Sequence, residues 1–516
     1  MRTEAFPITG KVFSYPKWCL TAFPRNAIMK LARKANVCKT EWTCPEKSGS
    51  SRTGVKAVNI KPRDPENRII YRRIAKLTGP IILQNLLSAA VTSADVIMLN
   101  FVGQAHISAV SLAAQYATIL FMLLYGLGTG VTMLSAQYFG KGDMRAVEAV
   151  QGIALRFSVG VAILFAAAAL LVPQAMMRVF TPDPQLIEIG AGYLRNVSVA
   201  YLCWGLTEVF LATLRSVGRV GISTALNTAA FTLNILLNAV FIFGLFGAPK
   251  LGAAGVALAT SISRVTELIL ALAVSARSRD IKLKMSQMFI RSKVLFRDFL
   301  RMAMPAILND ISWGVAFSMY SVIIGQFLGT DMVAANSFTS LVRTFGTVLC
   351  FSVASGGGIL LGQLLGDGQM EQADKSAKAL MRLTVLSGAA GGLIVLAAMP
   401  FVLRFASLTD QGKDYLKVML LINTYYVMGQ AVNTTLIAGV FRAGGDSRFG
   451  FVCDTIDMWL YAVPLGFLAA AVLKLPPLWV YFLLCTDEFV KWPWVIGHYR
   501  SKKWLRNITR ENVLNS

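Results

Sequence analysis

Residues 137–144 read Gln137-Tyr138-Phe139-Gly140-Lys141-Gly142-Asp143-Met144, and residues 363–370 read Gln363-Leu364-Leu365-Gly366-Asp367-Gly368-Gln369-Met370. Four of the eight positions are identical at an offset of 226. The register persists on both sides: Phe101-Val102-Gly103 matches Phe327-Leu328-Gly329, and Ala109 and Ser111 match Ala335 and Ser337. After one residue of drift, Arg215-Ser216-Val217-Gly218 matches Arg442-Ala443-Gly444-Gly445. The chain is therefore two copies of one unit, and the nature of that unit decides the fold.

Each copy is strongly apolar. Apolar segments run at about 78–101, 107–136, 149–173, 187–214, 220–246 and 251–276, then at 297–328, 332–361, 376–403, 415–440, 447–472 and 476–498. A helix needs ~20 such residues to cross the hydrocarbon of a bilayer. Of the 516 residues, 55% are hydrophobic and 15% charged, and the mean hydropathy is +0.57; soluble domains carry roughly 25% charge. The expected fold is an all-α membrane protein, twelve transmembrane helices in two six-helix lobes around a central cavity. Six helices per copy give both copies the same orientation. Such parallel repeats are related by an axis along the membrane normal and place a binding site between the halves. The expected organisation is a disordered basic tail at 1–70, an N-lobe at 71–276, a linker at 277–296, a C-lobe at 297–500 and a second tail at 501–516.

The net charge of +23 looks at first like a nucleic-acid signal. Its distribution excludes that. Numbering loops from the N-terminus, 39 lysines and arginines fall on one side, Arg215 and Arg442 among them, and 6 on the other. That is the positive-inside pattern of a membrane protein. Both termini are expected in the cytoplasm of a multi-pass protein of the inner (plasma) membrane. Seven cysteines are scattered without a C-x-x-C, so neither a disulfide framework nor a zinc site is expected. The first 25 residues hold no uninterrupted apolar run of the signal-peptide kind. No phosphate loop, H-E-x-x-H or G-x-S-x-G occurs, and His106 and His498 are the only histidines. An enzyme, a catalytic residue, a cofactor and a firm metal site are not expected; without a nucleotide site, uphill transport draws on an ion gradient.

The run Met133-Leu134-Ser135-Ala136-Gln137-Tyr138-Phe139-Gly140-Lys141-Gly142-Asp143 resembles the second-helix exit of the multidrug and toxic compound extrusion (MATE) family, in its bacterial NorM/DinF-like branches. Similar to the family too are Leu214–Gly218, Leu233-Asn234-Ile235-Leu236-Leu237-Asn238, Lys250–Thr260 and Phe441–Asp446. Order and spacing together carry the resemblance, over about residues 70–500. It implies secondary active efflux: a cytosolic small molecule, cationic and amphipathic, exchanged for a proton or sodium ion by a monomer in the lipid bilayer, with no nucleic-acid partner.

Charges in the membrane interior cost ~2.5–3.5 kcal/mol each on insertion scales, which makes each a functional candidate. Asp95, in Thr92-Ser93-Ala94-Asp95-Val96-Ile97-Met98, has Ser321 as its repeat counterpart, so the architecture does not demand a carboxylate there. By resemblance, this carboxylate is the coupling site for cation or proton, with Asn234 and Asn238 beside it. Spacing alone puts Asn227, Asn234 and Asn238 on one helix face, and such a face either lines a cavity or holds neighbouring helices. The family carries Asp in some members where Asn238 stands, which leaves the coupling ion open. Glu208, Asp310 with Trp313, Tyr426, and Asp454 with Asp457 and Tyr461 are candidates for the substrate cavity, since acidic and aromatic groups suit an organic cation. Arg264 and Glu267, three apart, read as a structural pair, and Asp487 and Glu488 as partners of Lys491. Two rival readings are a two-lobe flippase for a lipid-linked precursor, which needs a strongly cationic cavity, and a non-transporting sensor or channel, against which the parallel repeat argues.

Overall fold

A computed structural model of the chain describes residues 65–99, 104–278, 281–282, 289–290, 292–406 and 408–511, apart from the side chains of residues 65–67, 93, 95–97, 99 and 104. Residues 1–64, most of the 279–291 linker, Cys19, Cys38, Cys44 and the side chain of Asp95 therefore lie outside the described residues. Among the described residues all regular structure is helical. The N-half contains α1 (Pro65–Leu99), α2 (Gln104–Gly140), α3 (Met144–Leu171), α4 (Pro184–Ser216), α5 (Val220–Phe243) and α6 (Ala253–Arg277). The C-half contains α7 (Lys293–Phe327), α8 (Thr330–Gly366), α9 (Met370–Phe405), α10 (residues 410–441), α11 (Ser447–Val472) and α12 (residues 477–500).

Ten of these are continuous helices long and apolar enough to cross a membrane; α10 and α12 are the other two. The reasons are local. Along α10, buried Asn423, Gln430 and Asn433 dilute the apolar character, and the helix widens to π geometry over Thr435–Phe441. The last element breaks into three pieces, Pro477–Leu484, Asp487–Val490 and Trp492–Arg500. The first break lies at the polar Cys485-Thr486 step. The second is followed by Pro493, whose missing amide hydrogen favours a helix start. The first helix starts at Pro65, earlier than the expected boundary at residue 71, for the same reason.

The repeat seen in the sequence is a repeat in space. Within the N-half, α2 packs on α4, α4 on α6, and α1 on α5; in the C-half, α8 packs on α10, α10 on α12, and α7 on α11. Between halves, α1 packs on α8 and α2 on α7, each the mirror of the other under exchange of copies, while α2 and α8 cross each other. The motif glycines have a backbone reason. Gly142 and Gly368 take φ of +83° and +76°, and Gly218 and Gly445 take +80° and +75°. Only glycine adopts that left-handed region without cost, so turn chemistry preserves the same residue in both copies.

At the crossing of α2 and α8 the approach is reciprocal. A Cβ on Gly140 would lie 2.0 Å from the Gln363 carbonyl oxygen, and one on Gly366 would lie 1.8 Å from that of Gln137. The side chains repeat the exchange: Gln137 Nε2 donates to the Ala443 carbonyl (2.7 Å) and Gln363 Nε2 to the Ser216 carbonyl (2.8 Å). The two halves are thus locked at the end that carries the basic loops. Gly126, Gly130 and Gly356 serve the same close packing, against Ile307, Ala303 and Thr78 of the opposite half.

The segment after α12 departs from the expectation of a tail at 501–516. Residues 501–511 fold back under the crossing as a strap. Trp504 is completely buried, with its ring stacked on Tyr499 and its carbonyl against Gly444. The Ile508 amide donates to Gln137 Oε1 (2.8 Å) and Asn507 Nδ2 to the Gly366 carbonyl (3.2 Å). Arg510 grips Asp298 with two hydrogen bonds of 2.8 and 2.9 Å, and its carbonyl accepts from Lys141 Nζ (3.0 Å). Nothing in the order of residues marks this tail as packed, because its apolar anchors, Trp504 and Ile508, are too few to form a periodic pattern.

Candidate functional site: the cavity between the halves

Between the halves lies a cavity of about 620 Å³, bounded by α1, α2, α4, α5, α6, α8 and α10. The α2–α8 crossing lies at its basic-loop end; along α2 it reaches back to Ala114, and along α1 as far as Thr92. Its wall is part aromatic. Phe121 stacks with Tyr125 (5.6 Å between centroids) and with Trp204 (5.9 Å), and Phe231 and Phe351 add to the apolar lining. Against this stand Gln84, Asn85, Asn227, Asn234, Thr260, Glu208, Arg215, Arg264 and Arg442. The charged groups sit in pairs. Arg215 binds Glu208 at 2.7 Å, seven residues back on the same face of α4, and Arg442 binds Asp310 at 2.8 Å. Arg264 binds fully buried Glu267 at 2.7 Å and lays its guanidinium over Trp204 at 4.8 Å.

Several expectations meet here. Glu208 and Asn234 line the cavity. Asn234 donates to Thr260 Oγ1 (3.3 Å), and buried Asn238 donates to Asn234 Oδ1 (3.2 Å), so the α5 face both lines the wall and ties it to α6. The helical stretch bearing Asp95 belongs to α1, which packs on α5. Arg264 and Glu267 form the expected pair, but Arg264 also faces the cavity.

Other candidates are placed elsewhere. Asp310 touches the cavity only through Arg442. Trp313 packs edge-on against Phe317 and Phe351 and is not itself part of the wall. Asp454 and Asp457 turn away from the cavity toward Lys491, at 3.2 and 3.5 Å, inside the C-half, where Glu488 also reaches that ammonium at 3.2 Å. Asp487 accepts from the Tyr320 hydroxyl (3.2 Å), and Tyr461 hydrogen-bonds Thr486 (2.9 Å). A buried lysine attracts every carboxylate within reach, because an unpaired charge in a low dielectric costs several kcal/mol; helix spacing cannot show that pull. Tyr426 lines a second, smaller cavity.

Two cavity residues differ from the sequence expectation. Arg215 and Arg442, repeat equivalents, read as basic loop charges, and both line the cavity wall instead. Their acidic partners lie seven residues away or on another helix, so local spacing hides the pairs. Without them the charge bias still stands at 37 against 6. The aromatic wall of Phe121, Tyr125 and Trp204 carries no motif at all; only the packing of α2 on α4 assembles it.

A family model described as MatE matches residues 80–240 and 305–468. Among curated proteins, the uncharacterized transporter YisQ of Bacillus subtilis is 26% identical over 83% of this chain and 94% of its own length. The probable multidrug resistance protein YoeA of the same organism is 25% identical, covering 86% and 96%. The probable multidrug resistance protein NorM of Rhizobium meliloti is 24% identical, covering 79% and 87%. Among solved structures, a crystal structure of MATE in the straight conformation matches with a TM-score of 0.76 at 18% identity, over 85% of this chain and 99% of that one. The outward-facing conformation of a multidrug resistance MATE family transporter of the MOP superfamily matches with 0.74 at 18% identity, over 86% and 100%. The two matched blocks of the family model correspond to the two copies of the repeat, and the chain belongs to the MatE family of multidrug and toxic compound extrusion transporters, whose members are membrane transporters and not enzymes.

Proposed function

We propose that this chain expels cytosolic small molecules, organic and at least partly cationic, in exchange for protons or sodium ions. The observation that carries the reading is the 620 Å³ cavity between the halves, with Glu208 among stacked aromatic rings. A cavity of that size suits a drug-sized ligand; its aromatic faces attract an organic cation, and Glu208 offers its charge to one that displaces Arg215. The coupling site is Asp95 on α1, supported by Asn234 and Asn238 on α5. A carboxylate in an apolar helix can hold a proton and release it to a competing cation. With the basic loops and both termini taken as cytoplasmic, the locked end of the cavity is its cytoplasmic end. The names of the YoeA and NorM relatives, multidrug resistance proteins, point the same way. The flippase reading is weaker on one observation: each cavity arginine already holds a carboxylate at 2.7–2.8 Å, directly on the wall or just behind it, so the wall is not the strongly cationic cradle a pyrophosphate needs. The decisive experiment is accumulation of fluorescent cations in everted vesicles under imposed pH or sodium gradients. Uptake that ignores both gradients would refute ion-coupled export.

A further inference from the structure

The second cavity, about 80 Å³, lies inside the C-half, between α7, α8, α10 and α12. Arg343 of α8 lines it. The guanidinium lies 5.1 Å over the ring of Phe317 and 5.7 Å over that of Tyr426. Arg215, Arg264, Arg442 and Lys491 each have a carboxylate within 3.2 Å. Arg343 has none within ion-pairing distance among the described residues. The aromatic faces hold a cation in place but contribute no countercharge, and a cation within the bilayer is costly unless paired. A second group is left waiting. The Tyr426 hydroxyl, on a residue only 1% exposed, has no hydrogen-bond partner, and Tyr426 lines the same cavity. Ser340 and Asn336 add further donors to the wall. The nearest carboxylate through hydrogen bonds is Asp487, reached by way of Tyr320, and it already accepts from the Tyr320 hydroxyl and the Glu488 amide.

The repeat gives this place a meaning. At the offset of 226, Arg343 corresponds to Ala117 and Ser321, also on the wall, to Asp95. One copy carries an acid at this level of the fold. The other carries a serine in its place, with an arginine on the same cavity wall. We propose that the Arg343 cavity is an anion site, which takes a small monovalent anion: chloride, or a carboxylate no larger than acetate. Arg343 supplies the charge, and Tyr426 and Ser340 supply hydroxyl donors. The volume excludes more than a small head group, since one water takes ~30 Å³ of liquid.

The inference does not depend on the export reading, because its test is binding. Full-length protein in nanodiscs is melted at constant ionic strength in sodium gluconate, chloride or acetate; the gluconate chain is too large for the cavity. A ligand that binds only the folded state raises the midpoint. Chloride or acetate should raise it by about 1–3 °C, Arg343→Lys should retain a rise, and Arg343→Gln should abolish it. A rise in chloride alone assigns a halide; a rise in both salts assigns a site that accepts carboxylates. Should Arg343→Gln not fold, Ser340→Leu keeps the guanidinium but fills the cavity and must lose the response. Equal wild-type midpoints in all three salts, or a rise that survives Arg343→Gln or Ser340→Leu, would overturn the proposal.

Discussion

Removing residues 501–516 should unlock the basic-loop end of the transporter, and the size of the effect follows from the contacts. The strap is anchored to the C-half by buried Trp504, by Asn507 on Gly366 and by Arg510 on Asp298. To the N-half it makes four hydrogen bonds: Ile508 to Gln137 (2.8 Å), Gln137 to the Arg506 carbonyl (3.3 Å), Lys141 to the Arg510 carbonyl (3.0 Å) and the Arg510 amide to the Tyr138 hydroxyl (3.3 Å). If the halves rock apart here, the strap stays with the C-half and those four bonds break. Each is worth about 0.5–1.5 kcal/mol net. Two are long and one involves an exposed lysine, so the sum is about 2–3 kcal/mol. At 1.4 kcal/mol per tenfold, truncation after Arg500 should raise the open fraction about 30- to 150-fold. The assay is maleimide labelling of Ser216→Cys, in a background without the native cysteines. Ser216 is fully buried beneath the crossing, and its carbonyl accepts from Gln363. Arg510→Ala should give a smaller increase, because Trp504 still holds the strap, and pairing Asp298→Arg with Arg510→Asp should reverse the gain. A truncated protein that melts normally and labels at the wild-type rate would show that the strap does not hold the halves together.

Further outcomes are open to measurement. Asp95→Asn, expressed at the normal level, should lose efflux against a gradient; retained uphill efflux with unchanged ion dependence would sink its coupling role. Glu267→Gln should cost about 1–3 kcal/mol of stability rather than the 3–5 of a fully buried pair, because Arg264 is 19% exposed, and should lower the melting midpoint and protein yield accordingly. Gly366→Ala places a methyl 1.8 Å from the Gln137 carbonyl. It should therefore force the crossing apart and raise Ser216→Cys labelling, whereas Gly368→Ala, with φ of +76° and nothing near its Cβ, should cost about 1 kcal/mol of stability without opening the gate. Reporter fusions after Ser275 and Ser516 should read as cytoplasmic and those after Gly103 and Lys474 as external, and an inverted pattern would refute the assigned orientation.

Whatever periodic and local physics governs could be read from the order of residues. Long apolar runs have to become membrane helices, because the bilayer leaves backbone polar groups no other partner. The Gln137–Met144 and Gln363–Met370 repeat established two copies, and its turn glycines were legible because positive φ selects glycine. The pair Arg264–Glu267 was readable for a similar reason: three residues on a helix are neighbours. Encounters between residues far apart in the chain were settled by packing instead. Asp454 and Asp457 share a helix face that could have lined the cavity, yet Lys491 on another helix draws them inward. Arg215 and Arg442 looked like loop charges until Glu208 and Asp310 claimed them. The strap of residues 501–511 had no pattern to betray it, since one buried tryptophan and a handful of backbone hydrogen bonds leave no periodicity. A charge in a low dielectric goes to whichever partner the fold brings within about 3 Å, and that choice is made by packing.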